Sequence, residues 1–334
     1  MVRRKNNSAP FFSVVVPAYN CEDYIAGAIE SVLSQGDVEV EVLVVDDGST
    51  DGTCHIVRSL EEGSAGAIRL MCQENRGPGS ARNRGIENAE GAYVLFLDAD
   101  DRYIAGSFAL LKSHLLESGM PNMTAFDFAP VKEGAVVPRS VVVKNEYPRE
   151  KNPSSMEMLN RLYTQHFGYF SWCFAYKRDF LEQRQVRYPE GGRLLEDAVF
   201  LNDAVRKTDY VDVFQGDPIY LYTLRSDSIS YTAEYGSIDW AHRAVMDIYN
   251  QASLEGLSSC CEVSLANLLY LRRLAKSGGH EGLAACLESD IKMVDKGLPE
   301  AIKRRSKDHI RVWLMKLGVL DAVEGFVRTV KRVA

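Results

Sequence analysis

Three short apolar runs in the first hundred residues each end in a polar turn, and the third constrains the chain most. Ala92 to Leu97 is almost wholly apolar and rich in β-formers, and Asp98, Asp100 and Asp101 follow at once. Such a run reads as a strand buried on both faces, the kind found in parallel sheets flanked by helices. In open sheets of that kind ligands bind beyond the carboxyl ends of the strands, so these acids stand where chemistry is expected. Asp98 and Asp100 are two residues apart and share one side if the chain stays extended. Clustered carboxylates repel one another, and a hard divalent cation carrying phosphates is a common reason to tolerate them. The alternative is a solvated acidic turn whose Asp caps a helix over 105–117.

The other two runs repeat the pattern. Residues 11–17 (FFSVVVP) form a β-branched strand followed by Tyr19 and Asn20, and residues 40–45 form a second followed by Asp46, Asp47 and a Gly-Ser turn. Helices are predicted over 23–35, where Ile25, Ile29, Val32 and Leu33 share a face, and from Asp51 to about residue 62. A third strand covers 68–72, and a Gly-Pro-Gly turn at 77–79 feeds the helix that leads to the acidic strand. Regular alternation of strand and helix implies an α/β architecture with a mainly parallel sheet. Right-handed crossovers then set the turns at 17–20, 46–51 and 98–101 side by side on one edge. The 77–79 turn is not a dinucleotide-binding fingerprint, because Arg82 occupies the position of the third glycine.

Composition excludes several classes. With 334 residues, 46% hydrophobic and 25% charged, the chain can bury a large core. A net charge of −7 argues against a general nucleic-acid binder. Seven cysteines in no framework spacing, without a C-x-x-C, fit reduced thiols and a cytoplasmic setting. The basic start is followed by too short an apolar run for a signal peptide, and no run is long enough to span a bilayer.

Four segments in order, SVVVPAYN (13–20), VLVVDDGSTDGT (42–53), NRGPGSARNRGI (75–86) and YVLFLDADD (93–101), resemble the family 2 glycosyltransferases. The resemblance implies a GT-A fold: a Rossmann-like, mainly parallel sheet flanked by helices, here with a helical C-terminal region. It implies a nucleoside diphosphate sugar donor, held by Pro17, Ala18, Tyr19, Asn20, Asp46, Asp47, Asn75, Arg82 and Asp98. It further implies Mg²⁺ or Mn²⁺ on Asp98 and Asp100. Plainer roles exist for each: Tyr19 at a core edge, Asp46 and Asp47 shaping a turn, Arg82 exposed on a helix. The segment Glu196-Asp197-Ala198-Val199-Phe200 resembles the family's E-D-x-x-F element, which makes Asp197 the catalytic base and Glu196 a weaker, acceptor-side candidate. The plainer alternative is acids favouring a helix N-terminus. The stretch Tyr222-Thr223-Leu224-Arg225 resembles a displaced form of the family's tyrosine-arginine pair, with Arg225 reaching the diphosphate. Trp172 is either core or a stacking surface for an acceptor sugar.

Strands are also expected over 120–128, 135–143 and 218–224, and helix after 152 and beyond 239. The resemblance fades beyond Tyr235, giving a catalytic domain over 1–235 and a helical region over 236–334. Residues 301–334 carry nine basic residues against three acids. They form either a terminal helix docked on the body or an interfacial helix on anionic lipid at the inner face of the plasma membrane. The expected function is metal-dependent, inverting transfer of a sugar from a UDP-linked donor to a hydroxyl of a saccharide or lipid-linked glycan, as in cell-surface polysaccharide assembly. Alternatives are a silent nucleotide-sugar binding protein, against which Asp98, Asp100 and Asp197 together speak, and a nucleotidyltransferase, whose Gly-rich loop is missing after the first strand.

Overall fold

The computed structural model describes residues 9–36, 38–132, 152–163, 170–224, 235–257 and 260–298, with positions 308, 311, 312, 315 and 320. The chain divides into two compact units, one of residues 1–159 and 168–228, the other of 160–167 and 229–334.

The first unit opens with β1 (Phe12–Ala18), α1 (Ile25–Leu33), β2 (Val40–Asp46), α2 (Thr53–Gly63), β3 (Ile68–Cys72), α3 (Pro78–Glu87) and β4 (Tyr93–Phe96). It continues with β5 (Arg102–Tyr103), α4 (Ser107–Glu117), β6 (Met123–Ala125), β7 (Phe128–Lys132) and the first residues of α5 (Ser155–Tyr163), whose residues 160–163 belong to the second unit. After a single 3-10 turn at Ser171–Cys173 come β8 (Phe174–Lys177), α6 (Arg178–Gln183), α7 (Glu196–Arg206), β9 (Asp212–Val213) and β10 (Tyr220–Leu224). The main sheet has the order β3-β2-β1-β4-β8-β6-β9. β1 is parallel to β2 and β4, β2 to β3, and β6 to β9, while β8 runs antiparallel to both of its neighbours. A second sheet, β5-β10-β7, stands at the carboxyl side of β4.

The reason these segments become strands is visible in their burial. Every residue of β2 and β4 is buried, and six of the seven in β1. Runs without polar alternation satisfy a sheet covered on both faces. α3 covers β1 closely through a helical glycine, for a Cβ on Gly85 would collide with both methyl groups of Val15. Gly85→Ala is therefore expected to cost about 1–3 kcal/mol by overpacking, read as a lower urea midpoint at unchanged slope.

Several expectations change in detail. β4 stops at Phe96, and residues 98–101 form a turn closed by the Asp101 amide on the Asp98 carbonyl at 3.0 Å. The extended-chain argument for Asp98 and Asp100 thus fails: their neighbourhood comes from a turn. The single strand expected over 120–128 is two short strands, β6 and β7, in different sheets. The strand expected over 135–143 lies outside the described residues.

In the second unit α8 (Tyr235–Leu254), α9 (Cys260–Ser277) and α10 (Glu281–Gly297) pack as successive helices. Arg272 is buried on α9 and donates to Glu288 of α10 at 2.8 Å, and His242 of α8 lies 2.7 Å from Asp290 of α10. Of the basic stretch 301–334 only positions 308, 311, 312, 315 and 320 are described, all helical; the rest lies outside the described residues. No helix among the described residues is long and apolar enough to cross a membrane.

Candidate active site

The carboxyl ends of β1, β2 and β4 bring the three polar turns to one edge of the sheet. The Asp47 amide donates to the Ala18 carbonyl at 2.8 Å, and the Thr50 amide to Asn20 Oδ1 at 2.8 Å, so the first two turns are tied together. Asn20 takes a left-handed backbone (φ 48°) to make this link, a conformation that Asn tolerates. Tyr19 stands beside it with about half its surface exposed, whereas Ala18 is buried.

Asp46 and Asp47 are both buried, and their carboxylates serve the turns. Asp47 accepts the amides of Arg76 and Gly77 at 2.9 and 2.8 Å and the Gln73 side chain at 2.8 Å, which fixes the turn before α3. Asp46 Oδ2 accepts the Ser49 amide at 3.2 Å. Asn75 accepts from Arg193 at 2.6 Å, linking that turn to the loop before α7.

Arg82 is the centre of the site. It projects from α3 and is only 4% exposed. Its Nη2 donates to Asp98 at 2.8 Å, its Nη1 to Glu196 at 3.0 Å, and Asp197 lies 3.5 Å from the same nitrogen. The guanidinium also lies over the Tyr188 ring, 5.2 Å from its centroid. A forked, permanently charged group is suited to joining carboxylates from two elements. Burial alone would lower the Arg82 pKa, but Asp197, Asp98 and Glu196 hold it well above its ordinary value. The residue is therefore a buried cation and not an exposed helix position.

α7 begins immediately after Leu195, which is held in the left-handed region at φ 62°. That turn delivers Glu196 and Asp197 to Arg82. Asp197 Oδ1 accepts a hydrogen bond from Ser171 Oγ at 2.9 Å, and Ser171 in turn accepts one from the Tyr188 hydroxyl at 2.5 Å. Burial pushes the Asp197 carboxyl up to about 7, with Glu196 and Asp98 acting in the same direction and Arg82 and Ser171 against it. A carboxylate tuned to that range can take a proton at neutral pH. Ser171 and Tyr188 carry no motif, since their roles arise only when the loop before β8 meets α7.

The acidic turn splits by environment. The Asp98 side chain remains 30% exposed, and Asp100 is half-buried. Asp101 is turned inward at 1% exposure, accepting the Tyr220 hydroxyl and the Thr223 amide, both at 2.7 Å. Burial, with Asp98 and Asp100 adding to it, pushes the Asp101 carboxyl up to about 8. Asp101→Ala would leave a buried hydroxyl and amide unpaired between the turn and β10. The expected loss is about 1–3 kcal/mol in urea unfolding. Asp98 and Asp100 offer only oxygen donors on a partly open turn, a set that fits a hard divalent ion such as Mg²⁺ or Mn²⁺.

Trp172 takes the core alternative. It is 2% exposed, stacked on Tyr220 at 4.2 Å and Phe170 at 4.7 Å between ring centroids, and offers no open face to a sugar. Arg225 lies outside the described residues.

Comparison with known proteins follows this geometry. The family model for glycosyl transferase family 2 matches residues 13–184. The succinoglycan biosynthesis protein ExoO of Rhizobium meliloti is 32% identical over 254 residues, 75% of this chain and 72% of ExoO. The uncharacterised glycosyltransferase EpsJ of Bacillus subtilis is 26% identical over 253 residues, 74% of this chain and 72% of EpsJ. Among solved structures, residues 1–349 of S. aureus TarS in complex with UDP-GlcNAc superpose with a TM-score of 0.66 at 22% identity, covering 93% of this chain and 88% of that one. The mannosyltransferase PcManGT of Pyrobaculum calidifontis, in complex with GDP-Man and Mn²⁺, superposes with a TM-score of 0.50 at 18% identity, covering 97% of this chain and 89% of that one.

Proposed function

The chain belongs to glycosyltransferase family 2, and we propose that it moves a hexosyl or N-acetylhexosaminyl group from a UDP-linked donor to a hydroxyl of a saccharide or lipid-linked glycan. The observation that carries this reading is the Arg82 junction, which joins Asp98 of the acidic turn to Asp197 at the start of α7, so that the proposed diphosphate side and acceptor side of the site meet at one guanidinium. The relative ExoO, named for succinoglycan biosynthesis, supports assembly of a cell-surface polysaccharide. The TarS complexes with UDP-GlcNAc and UDP support a uridine nucleotide.

In this reading the base lies against Tyr19, Pro17 and Ala18, where a half-exposed ring is available for stacking. Asn20, Asp46, Asp47 and Asn75 act through the turns they hold. Asp98 and Asp100 would hold a divalent ion, which neutralises charge on the departing diphosphate when bound. Asp197 accepts the proton of the acceptor hydroxyl, whose oxygen bonds to the anomeric carbon as the bond from that carbon to the diphosphate oxygen breaks. Attack from the face opposite the leaving group inverts the anomeric centre. Glu196 holds Arg82 and keeps the Asp197 carboxyl high.

The test is release of nucleoside diphosphate from UDP-glucose, UDP-galactose, UDP-N-acetylhexosamines, UDP-glucuronate and GDP-mannose, each with Mn²⁺ or with EDTA. Release from one UDP-sugar, abolished by EDTA, is the expected result. Silence on every donor, with no nucleotide-induced thermal shift, would sink the proposal. A thermal shift without turnover in the presence of saccharide acceptors would leave a binding protein.

A further inference from the structure

Three side chains meet where β2 and β3 end, one of which, Asp46, also holds the turn beside the donor site. Asp46 is the last residue of β2, Cys72 the last of β3, and the two are partners in the parallel register. Cys54 is the second residue of α2, the helix that connects those strands. The crossover therefore gathers all three by its own geometry.

The sulfurs of Cys54 and Cys72 are 3.6 Å apart, and one ligand atom from each of the three residues lies within 4.8 Å of the others. Two thiolates on one tetrahedral zinc ion, each at about 2.3 Å, stand roughly 3.7 Å apart. A disulfide would need about 2.05 Å. The observed separation is that of two thiols in hydrogen-bond contact, and it is also the spacing that sulfurs sharing an ion need, so no rearrangement is required to bind one.

A second, independent observation comes from the carboxylate. Asp46 is 3% exposed; its Oδ2 accepts the Ser49 amide, and apart from the neighbouring Cys54 thiol its Oδ1 has no donor among the described residues. A buried carboxylate oxygen with no donor but a thiol is costly, and a cation is one means of relieving it.

We propose that Asp46, Cys54 and Cys72 form a Zn²⁺ site, separate from the all-oxygen pair Asp98 and Asp100. Two sulfurs and one oxygen suit a borderline-soft ion, whereas carboxylates alone suit Mg²⁺ or Mn²⁺, so donor type sorts the two sites. Cys72 is exposed, which leaves water access to a fourth position. A bound ion would clamp the end of β2 to the start of α2 and so hold the turn that carries Ser49 and Asp51. The proposal stands on the three side chains and does not depend on the transferase reading.

The full chain, reduced and stripped with chelator, would be titrated with Co²⁺ and then Zn²⁺ in excess Mg²⁺. One equivalent of Co²⁺ with a thiolate-to-metal charge-transfer band, bleached by Zn²⁺, is expected, as is one zinc per chain by native mass spectrometry. Cys54→Ser and Cys72→Ser should each lower the band to about half and weaken zinc at least about 10-fold, the low end of what losing even an outer-shell partner costs, and the double variant should lose the band. Asp46→Asn should weaken zinc and keep the band. Cys286→Ser, at an exposed thiol on α10, should change neither. Absence of both band and zinc in the wild type overturns the proposal, and this needs no variant to fold. An undiminished band in both single serine variants, or its loss in Cys286→Ser, overturns it too.

Discussion

Arg82→Gln is expected to lower donor turnover by about 10²–10³-fold, the scale of losing one preorganised charge-stabilising group. Among the described residues Arg82 is the only basic side chain within ion-pair distance of Asp98, Glu196 and Asp197. Removing it leaves three carboxylates facing one another around a buried centre. Breaking a buried ion pair on one side also costs about 3–5 kcal/mol, so the variant should unfold at lower urea. Arg82→Lys separates charge from shape: a point charge cannot fork to Asp98 and α7 together, so it should recover stability more fully than turnover. Turnover and urea unfolding measured on both variants check this. Unchanged turnover in Arg82→Gln at intact stability would remove Arg82 from the chemistry.

The parts of the fold legible from sequence are those where local pattern and tertiary environment agree. β1, β2 and β4 are apolar without alternation because helices cover both faces of the sheet, and their ends were readable within a residue or two. β6 and β7 were not separable, since Met120 to Phe128 reads as one strand despite the polar Asn122, Thr124 and Asp127 within it. The break between them at Phe126 and Asp127 follows from pairing with strands distant in sequence. β6 joins β8 and β9, and β7 joins β10. The antiparallel insertion of β8 was equally invisible, because no short-range signal marks which strand a returning segment will meet.

The site divides the same way. The aspartates at strand ends were legible because parallel topology sends those ends to one edge. Arg82 was placed near the donor by motif alone, but its burial depends on α7 arriving more than a hundred residues later. The inward turn of Asp101 depends likewise on β10. Ser171 and Tyr188 had no sequence signal, since a serine or tyrosine in a loop is ordinary until a carboxylate comes within hydrogen-bond reach. Trp172 shows the converse: an aromatic that composition allows at a site rim is consumed by stacking with Tyr220.

The largest effect on the chemical step should come from Asp197→Asn, with turnover falling about 10²–10⁴-fold, the range a positioned general base contributes. Donor binding, read as a nucleotide-induced thermal shift, should survive. The pH dependence gives the sharper test. The base works deprotonated, and burial with Glu196 and Asp98 pushes its carboxyl up to about 7, so turnover should rise with pH through neutrality and level off above it. Ser171 donates to the charged form and lowers this value, so Ser171→Ala should move the acidic limb to higher pH while leaving the alkaline plateau near wild type. Glu196 acts oppositely by charge. Glu196→Gln should move the same limb to lower pH, provided that Arg82 keeps its contact with Asp98. Opposite displacements of one limb by two neighbours are what a single titrating carboxylate between them requires. If both variants lower the plateau and leave the limb in place, the group that titrates is not Asp197.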